Sequence, residues 1–456
     1  MKKLLSLTLI LLTLLIFLIF HDTGNRLIKP YLGDYLATYL KPKLKQDIAI
    51  EIEDLKININ TFYATLIIDK LTEMKIKGEL SLFEEKSKIV QNIQIDIDKG
   101  ELEELLRISK QEPYGKGTVD LQINIPSIQG IQKKYPKATA TIKLYEALLD
   151  KKLLKKSLKV EIPNDTEING TINSNLNENI IISEGSFQTS LANIDFKQAK
   201  YDLKTKNIES DYLLKIADLS KLEPISKQKL RGSIEIEGTI LKEKNLTITG
   251  VSKDLEGELS FTLMDKKLHA NISNISIEKL IYTIHYPQIF RGKMVGELNY
   301  NLSQKKGLFT SKLNQAQLLP NQLTTLIKRI QGPDLTKERY NETTLNAKIN
   351  REFIDFDFQA KSKTTTLKLH PAIINRDNNN IDANYILDIE DKDIGGTIKG
   401  KIDNPKISID SSKFVQREII DKVKEYIHID DSTLKDLGIG EKEQEAVKEL
   451  FRGFFK

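Results

Sequence analysis

Apolar and polar residues alternate one by one along most of the chain from about Ile48 to Asp410. A period of two places one face of a β-strand in an apolar environment and the other in water, which is typical of antiparallel sheets. The apolar positions of the clearest runs are Val119, Leu121, Ile123 and Ile125, then Ile234 and Ile236, Leu259, Phe261 and Leu263, Leu298 and Tyr300, and Ile354, Phe356 and Phe358. The pattern predicts a mainly β protein.

A unit of strand, short helical turn, glycine and strand recurs within this region. It spans residues 214–238, and imperfect copies span residues 95–125 and 270–302. Repetition of this kind predicts an array in which each unit extends the same sheet. Helical spacing predicts short helices at 102–108, at Leu219, at Ile277, at 143–154 and at 320–330. Glycine-containing pairs predict turns at Asn169-Gly170, Lys306-Gly307 and Gly395-Gly396.

So few short helices cannot cover the apolar face of so long a sheet. The sheet must therefore curl until that face meets itself, either as a filled sandwich or as a U-shaped groove. Repetition favours the groove, because stacked copies lengthen a sheet whereas a sandwich closes after a few strands. We expect a β-groove body at residues 47–410, lined by the fourteen alternating apolar positions named above.

The first residues predict insertion into a membrane. Lys2 and Lys3 precede a run from Leu4 to Phe20, including Leu11 and Leu15, that contains no charge. It is near the short end of what spans a bilayer, and no small-x-small cleavage pattern follows it. We expect a single-pass anchor at residues 1–22 in a bacterial inner membrane, with the rest of the chain in the periplasm. A cleaved signal peptide is the alternative.

Amphipathic helices are expected at both ends of the β region. At residues 23–46, apolar and tyrosine residues recur at helical spacing. Pro30 and Pro42 interrupt this pattern. This helix either caps the open end of the sheet or lies at lipid headgroups. Residues 411–456 predict two more helices and a tail containing Phe451, Phe454 and Phe455. That tail either contacts a bilayer or a partner, or plugs the end of the groove.

Composition and motifs argue against several classes of function. The 456 residues carry a net charge of +5, with 69 basic and 64 acidic residues spread along the chain, so nucleic acid is not an expected partner. There is no cysteine, and the five histidines are scattered. The stretch GGTIKGKI at residues 395–402 imitates a phosphate-binding loop but has Ile402 where a metal-binding hydroxyl is required. We expect no catalytic residues, no metal and no cofactor.

Several segments together resemble the AsmA and TamB superfamily of bacterial envelope proteins. These are the N-terminal anchor, the segment IKPYLGDYLATYL leading into EIEDLKIN, the repeated strand, helix and glycine unit, and the closing GTIKGKIDNPKISID followed by an amphipathic helix. The turn at residues 400–409 carries the most specific part of the resemblance. It implies a long β-groove, also called a β-taco, as in bridge-like proteins that carry lipid between membranes. About 20 to 25 strands at ~4.8 Å each would give a groove roughly 100 to 120 Å long.

We therefore expect a protein that holds or conducts phospholipid along an apolar groove toward the outer membrane. Its expected partners are phospholipid acyl chains, the inner membrane, and an outer-membrane β-barrel or the outer-membrane surface. The main alternative is a scaffold for outer-membrane protein assembly, as proposed for TamB-like proteins. A closed array of sandwiches acting as an adhesin or passive spacer is a third.

Overall fold

The computed structural model describes residues 21–44, 49–69, 72–81, 90–109, 111–127, 137–158, 162, 166–226, 228–329, 333–389 and 392–410. The predicted anchor (Leu4, Leu11, Leu15 and Phe20) and the predicted C-terminal helices (Phe451, Phe454 and Phe455) lie outside these ranges. Among the helices in them, none is both long and apolar enough to cross a membrane.

Within the described ranges the protein is mainly β, and its 22 strands belong to one antiparallel sheet. The prediction of a mainly β, antiparallel and repeat-built protein is confirmed. The strands are β1 (Ile50–Ile57), β2 (Thr61–Ile68), β3 (Thr72–Leu80), β4 (Val90–Glu101), β5 (Gly115–Ser127), β6 (Ala138–Leu149), β7 (Glu167–Asn177), β8 (Ile180–Thr189), β9 (Asn193–Asp202), β10 (Ile208–Ile216), β11 (Ile234–Lys242), β12 (Leu246–Ser252), β13 (Glu258–Met264), β14 (Lys267–Ser276), β15 (Phe290–Asn301), β16 (Lys306–Leu318), β17 (Glu342–Ile349), β18 (Phe353–Lys361), β19 (Thr365–Asn375), β20 (Asn380–Ile389), β21 (Lys392–Lys401) and β22 (Lys406–Ile409).

The helices are short apart from the first one. The α-helices are α1 (Asp22–Leu44), α2 (Leu102–Ile108), α3 (Lys151–Leu158), α4 (Glu223–Ser226), α5 (Ile277–Thr283) and α6 (Gln322–Arg329), and 3-10 turns lie at Leu219–Leu222 and Leu335–Lys337. The short ones follow the ends of β4, β6, β10, β14 and β16. All three repeat copies found in the sequence therefore contain a strand, a short helix and a strand, and β6–α3–β7 and β16–α6–β17 have the same order.

The chain divides into two compact units. Unit 1 contains the described residues up to Tyr286 together with Val295–Ser303, and unit 2 contains Pro287–Met294 together with the described residues from Gln304 onward. Successive strands pair antiparallel from β1 to β14 in unit 1 and from β16 to β22 in unit 2.

One helix prediction and three turn predictions are wrong. The expected helix at 143–154 is strand β6 as far as Leu149 and helix α3 only from Lys151. Asn169-Gly170 lies within β7, Gly395-Gly396 lies within β21, and Lys306-Gly307 begins β16. The space of a side chain is occupied by the Phe187 ring at Gly170, and by the Ser408 backbone oxygen and the Tyr385 side chain at Gly396. The small size of these glycines, not turn formation, therefore explains them.

Helix α1 packs on the first strands of unit 1. Ile28 and Leu32 contact the buried cluster of Ile52, Leu55 and Leu66. The Asn25 side chain accepts a hydrogen bond from the Ile57 backbone N–H at 3.2 Å. The Lys29 ammonium donates to the Glu53 carbonyl oxygen at 2.6 Å. The helix thus occupies polar backbone groups of the edge strand β1 that a free edge would leave open to pairing.

Unit 2 contains several completely buried side chains. Ile327 of α6, Leu335 of the following 3-10 turn and Tyr340 have no exposed surface, and Leu387 of β20 is equally inaccessible. The Asn321 side chain accepts from the Thr324 backbone N–H at 3.0 Å and caps the start of α6. This part of unit 2 is filled in the manner of an ordinary domain core.

We predict that Leu387→Ala lowers the free energy of unfolding by about 2 to 5 kcal/mol, because it opens a cavity in this core. Leu308→Ala is the matched control, since Leu308 belongs to the same unit and is 56% exposed. It should change stability by no more than about 0.5 kcal/mol. Urea unfolding followed by circular dichroism compares the two, and equal losses would contradict the assignment of a dry core.

Candidate functional site

One row of side chains on a single face runs across fourteen consecutive strands of unit 1. The residues are paired in register from one strand to the next, so each lies beside its neighbour on the same face. In order from β1 to β14 the row is Ile52, Leu66, Met74, Ile97, Leu121, Ile142, Ile172, Gly185, Phe196, Tyr212, Gly238, Gly250, Phe261 and Ala270. Only Tyr212 carries a side-chain oxygen or nitrogen, and its hydroxyl donates to the Thr249 carbonyl oxygen at 2.8 Å.

A second row lies beside the first across seven strands. From β5 to β11 it contains Val119, Leu144, Gly170, Phe187, Ile194, Leu214 and Ile236. We call the surface formed by the two rows the apolar face of unit 1. Because the register holds over so many strands, the face is continuous and not a set of separate patches.

The fourteen residues predicted from alternation fall on five strands, four in unit 1 and one in unit 2. In unit 1, β5 holds Val119, Leu121, Ile123 and Ile125, β11 holds Ile234 and Ile236, β13 holds Leu259, Phe261 and Leu263, and β15 holds Leu298 and Tyr300; in unit 2, β18 holds Ile354, Phe356 and Phe358. Val119 is buried at 3% exposure, and the other thirteen are only partly buried.

Strands of the sheet differ in how far their apolar sides are covered. In β8 exposed residues alternate with partly buried ones, and the same strand has no buried residue. Strands β7, β9, β11 and β13 also have none. In β20 of unit 2, by contrast, the alternate positions from Ala383 to Ile389 are buried. The apolar side of the middle strands of unit 1 is therefore accessible, whereas that of β20 is packed.

Five glycines of the sheet lie beside an aromatic side chain of a neighbouring strand. A Cβ atom added to Gly170 would lie 2.4 Å from the Phe187 ring, and one added to Gly250 would lie 2.4 Å from the Phe261 ring. The further pairs are Gly78 with Phe62, Gly185 with Phe196, and Gly396 with Tyr385 in unit 2. Each ring occupies the space above a glycine, so the aromatic side chains lie low against the sheet.

An apolar pocket lies where helix α1 meets the sheet. Its volume is about 280 Å³, close to the lower limit of ~300 Å³ for pockets that bind small molecules. All ten lining residues are apolar: Leu32 of α1 with Ile52, Leu55, Ile57, Phe62, Ala64, Leu66, Ile76, Leu80 and Val90. Ile52 and Leu66 also begin the long row, so the pocket is the α1 end of the apolar face.

The opposite face of unit 1 is polar and forms hydrogen bonds and ion pairs between strands. Lys215 and Glu235 are register partners on β10 and β11, with 3.0 Å between their charged atoms. Asp120 accepts from the Lys99 backbone N–H and from the Tyr145 hydroxyl, each at 2.8 Å. These two bonds, the Lys99 one first, hold the pKa of Asp120 below its ordinary value of 3.8. Such groups belong in water, which identifies this face as the solvated one.

The apolar face offers a ligand apolar contact, because only Tyr212 of the long row carries a side-chain oxygen or nitrogen. Across the described ranges no group of three or more histidine, aspartate or glutamate side chains is placed to hold a metal. Side chains of the two rows offer dispersion contacts and water exclusion to an apolar ligand. The arrangement suits a long hydrocarbon chain, which needs a continuous apolar surface and no specific polar contact.

Sequence reasoning missed the middle of this face and the pocket. In β8, Ile180, Ile181 and Ile182 are consecutive, so alternation cannot say which of them points to the apolar side. The register assigns Ile181, because it pairs with Leu176, and leaves Ile180 and Ile182 more than 40% exposed. The pocket depends on Leu32 meeting β1 and β2, and no sequence period encodes that contact. The amphipathic pattern of α1 was the available signal.

No protein family model, no curated protein and no solved structure matches this chain.

We predict that Gly250→Ala lowers the free energy of unfolding by about 1 to 3 kcal/mol, because the new methyl group forces the Phe261 ring off the sheet. The same substitution in a Phe261→Leu background should cost less, since the smaller side chain gives way. Gly33→Ala is the control, because nothing lies within 4 Å of its added Cβ. It should be neutral or stabilising by up to about 1 kcal/mol. Additive effects at positions 250 and 261, measured by chemical unfolding, would contradict the ring placement.

We also predict a pH-dependent loss of stability at Asp120. Because its folded-state pKa is lowered, its contribution is present above the unfolded-state value of about 3.9 and disappears as the pH falls through the folded-state value. Asp120→Ala should therefore be less stable than wild type by about 1 kcal/mol at neutral pH, and the difference should vanish in acid. For Asp120→Asn, which does not titrate, stability relative to Asp120→Ala should be independent of pH. Unfolding curves recorded at several pH values provide the test.

Proposed function

We propose that this chain binds phospholipid acyl chains on the apolar face of unit 1 and holds or conducts them as an envelope protein of the AsmA and TamB type. The observation that carries the proposal is the in-register apolar row across β1 to β14, together with the incomplete burial of its middle strands. An ordinary core would have covered those side chains, as unit 2 covers the alternate positions of β20.

Hydrocarbon transfer gives the proposal its energy scale. Burial of one methylene contributes about 0.8 kcal/mol, so contact with ten contributes up to about 8 kcal/mol before chain ordering is subtracted. Partial exposure of the bound chain lowers this value. The sum corresponds to binding in the micromolar range or weaker, which allows a lipid to be held and also released. The polar headgroup needs no pocket, because it stays in water at the rim.

The cellular setting follows from the resemblance and from the sequence of the N-terminus. In this proposal the run Leu4–Phe20 anchors the chain in the inner membrane, the sheet curls into a groove in the periplasm, and lipid moves toward the outer membrane. No step forms or breaks a covalent bond, so direction comes from a lipid gradient or from a partner. In this proposal the apolar pocket beside α1 is the first position that a lipid acyl chain occupies when it leaves the inner membrane.

The test compares two neighbouring residues on opposite sides of β7. Ile172 lies in the long row, and Asn173 is exposed on the other face. We predict that Ile172→Asp reduces phospholipid co-purified with the full chain at least about tenfold, because a carboxylate cannot be desolvated against an acyl chain. Asn173→Asp introduces a carboxylate one residue away and should leave the lipid content unchanged. Mass spectrometry of lipid extracted from the detergent-washed protein gives the ratio.

Two outcomes would overturn the proposal. One is a wild-type protein that carries no phospholipid, and the other is equal loss of lipid in both variants. Thermal unfolding of the two variants separates loss of binding from loss of folding, and Ile236→Asp provides a second position on the same face if Ile172→Asp fails to fold. Crosslinking of the chain to a β-barrel protein without bound lipid would favour the assembly scaffold instead.

A further inference from the structure

Two asparagines of the chain lie in the sequence pattern of bacterial acceptors for N-linked glycans. All such acceptors share Asn-x-Ser/Thr, in which x is not proline, and bacterial acceptors add an acidic residue two positions before the asparagine. The full pattern occurs at Asn169, within EINGT, and at Asn245, within EKNLT. Chance produces such short patterns easily, so the surroundings of each asparagine in the fold decide which of them an enzyme can use.

Asn245 lies in the tight hairpin between β11 and β12. All residues from 241 to 246 are exposed, and the Glu243 backbone N–H donates to the Asn245 carbonyl oxygen at 3.3 Å. Leu246 pairs with Lys242 of β11, whereas the pairing of β12 with β13 begins only at Thr247. The start of β12 is therefore held by the sheet from one side only.

The three side chains of the pattern are free in this hairpin. Within the part of the chain that the structure describes, the Glu243 carboxylate, the Asn245 amide and the Thr247 hydroxyl form no hydrogen bond or ion pair. The amide nitrogen that would carry a glycan is thus accessible, and so are the two groups on either side of it that define the acceptor.

Asn169 has the same sequence pattern in a closed setting. It lies inside β7, where it pairs with Gln188 of β8, and the next residue, Gly170, pairs with Leu144 of β6. Its side-chain oxygen accepts a hydrogen bond from the Glu146 backbone N–H at 2.8 Å. An enzyme that binds the acceptor backbone would have to open the ladder on both sides of β7, so the fold protects Asn169.

We infer that Asn245 is a glycosylation site and that Asn169 is not. The donor is an oligosaccharide linked to a polyprenyl diphosphate, and the catalyst is a membrane-bound oligosaccharyltransferase. The side-chain nitrogen of Asn245 bonds to the anomeric carbon of the first sugar while the bond from that carbon to the diphosphate oxygen breaks. The amide gives up one proton, and the polyprenyl diphosphate leaves.

The site is separate from the proposed lipid-binding surface, because Asn245 belongs to neither row of the apolar face. A glycan at this position lies beside Leu246, which is 45% exposed, and adds hydroxyl groups to an apolar part of the surface. The inference shares with the proposed function only the location of the sheet outside the cytoplasm, where the donor is used.

The experiment expresses the full chain in bacteria that contain an active oligosaccharyltransferase and its polyprenyl-linked donor, and in a matched strain whose transferase is inactive. Mass spectrometry of proteolytic peptides should show one added glycan on the peptide that contains Asn245 and none on the peptide that contains Asn169. Asn245→Gln should abolish the added mass. Asn169→Gln is the matched control and should leave it unchanged.

Two further variants keep Asn245 in place and change only what the transferase recognises. Thr247→Val removes the hydroxyl and should abolish the glycan, and Glu243→Gln removes the carboxylate and should lower the occupancy. The thermal unfolding temperature of Glu243→Gln should match that of wild type, because the carboxylate is exposed and unbonded. Ile172→Asp, which tests the apolar face, should leave the occupancy unchanged, so failure of lipid binding and failure of glycosylation are separate results.

A chain that carries a second copy of residues 241–249 at its C-terminus separates the causes of a negative result. Glycan on the appended copy and none on Asn245 would overturn the site. Absence of glycan from both copies would overturn the inference together with the location outside the cytoplasm, whereas co-purified phospholipid reports on the apolar face in either case. Glycan on Asn169 as well as Asn245 would contradict selection by the fold, since modification would then precede folding.

Discussion

The separation of unit 1 into an apolar face and a solvated face depends on the strand register. Because side chains alternate with a period of two, a slip of one residue would move a whole strand's apolar set to the solvated side. The pairing keeps one apolar row aligned from Ile52 to Ala270 and places Lys215 opposite Glu235 on the other side. Continuity of the face, which the proposed lipid binding requires, is a consequence of register and not of any single residue.

Pairing of glycines with aromatic residues prevents crowding between rings on neighbouring strands. A face lined with large rings on neighbouring strands would become crowded and uneven. Pairing Phe187 with Gly170 and Phe261 with Gly250 lays each ring across its neighbour and keeps the surface low. A low surface leaves room for a ligand, whereas Ile327 and Leu335 in unit 2 are fully buried. The same alternating pattern thus gives a partly exposed side in β8 and a buried side in β20.

Helix α1 covers the first strands of the sheet. Its inner face covers the edge strand through Asn25 and Lys29 and closes one side of the apolar pocket through Leu32. Of the two roles weighed from the sequence, these contacts are those of a cap for the sheet, and a contact for headgroups stays a prediction.

The sequence by itself determined the mainly β class, the repeated strand and helix unit and the outline of α2, since each depends on local periodicity. It misassigned Gly170 and Gly396 as turns, because a glycine that makes room for a ring looks the same in sequence as one that bends the chain. The tertiary structure alone decided which isoleucine of β8 faces inward, and that Leu32 completes a pocket with β1 and β2. It also decided which alternating strands are covered. These are matters of contact between distant segments, and such contacts leave no period in the sequence.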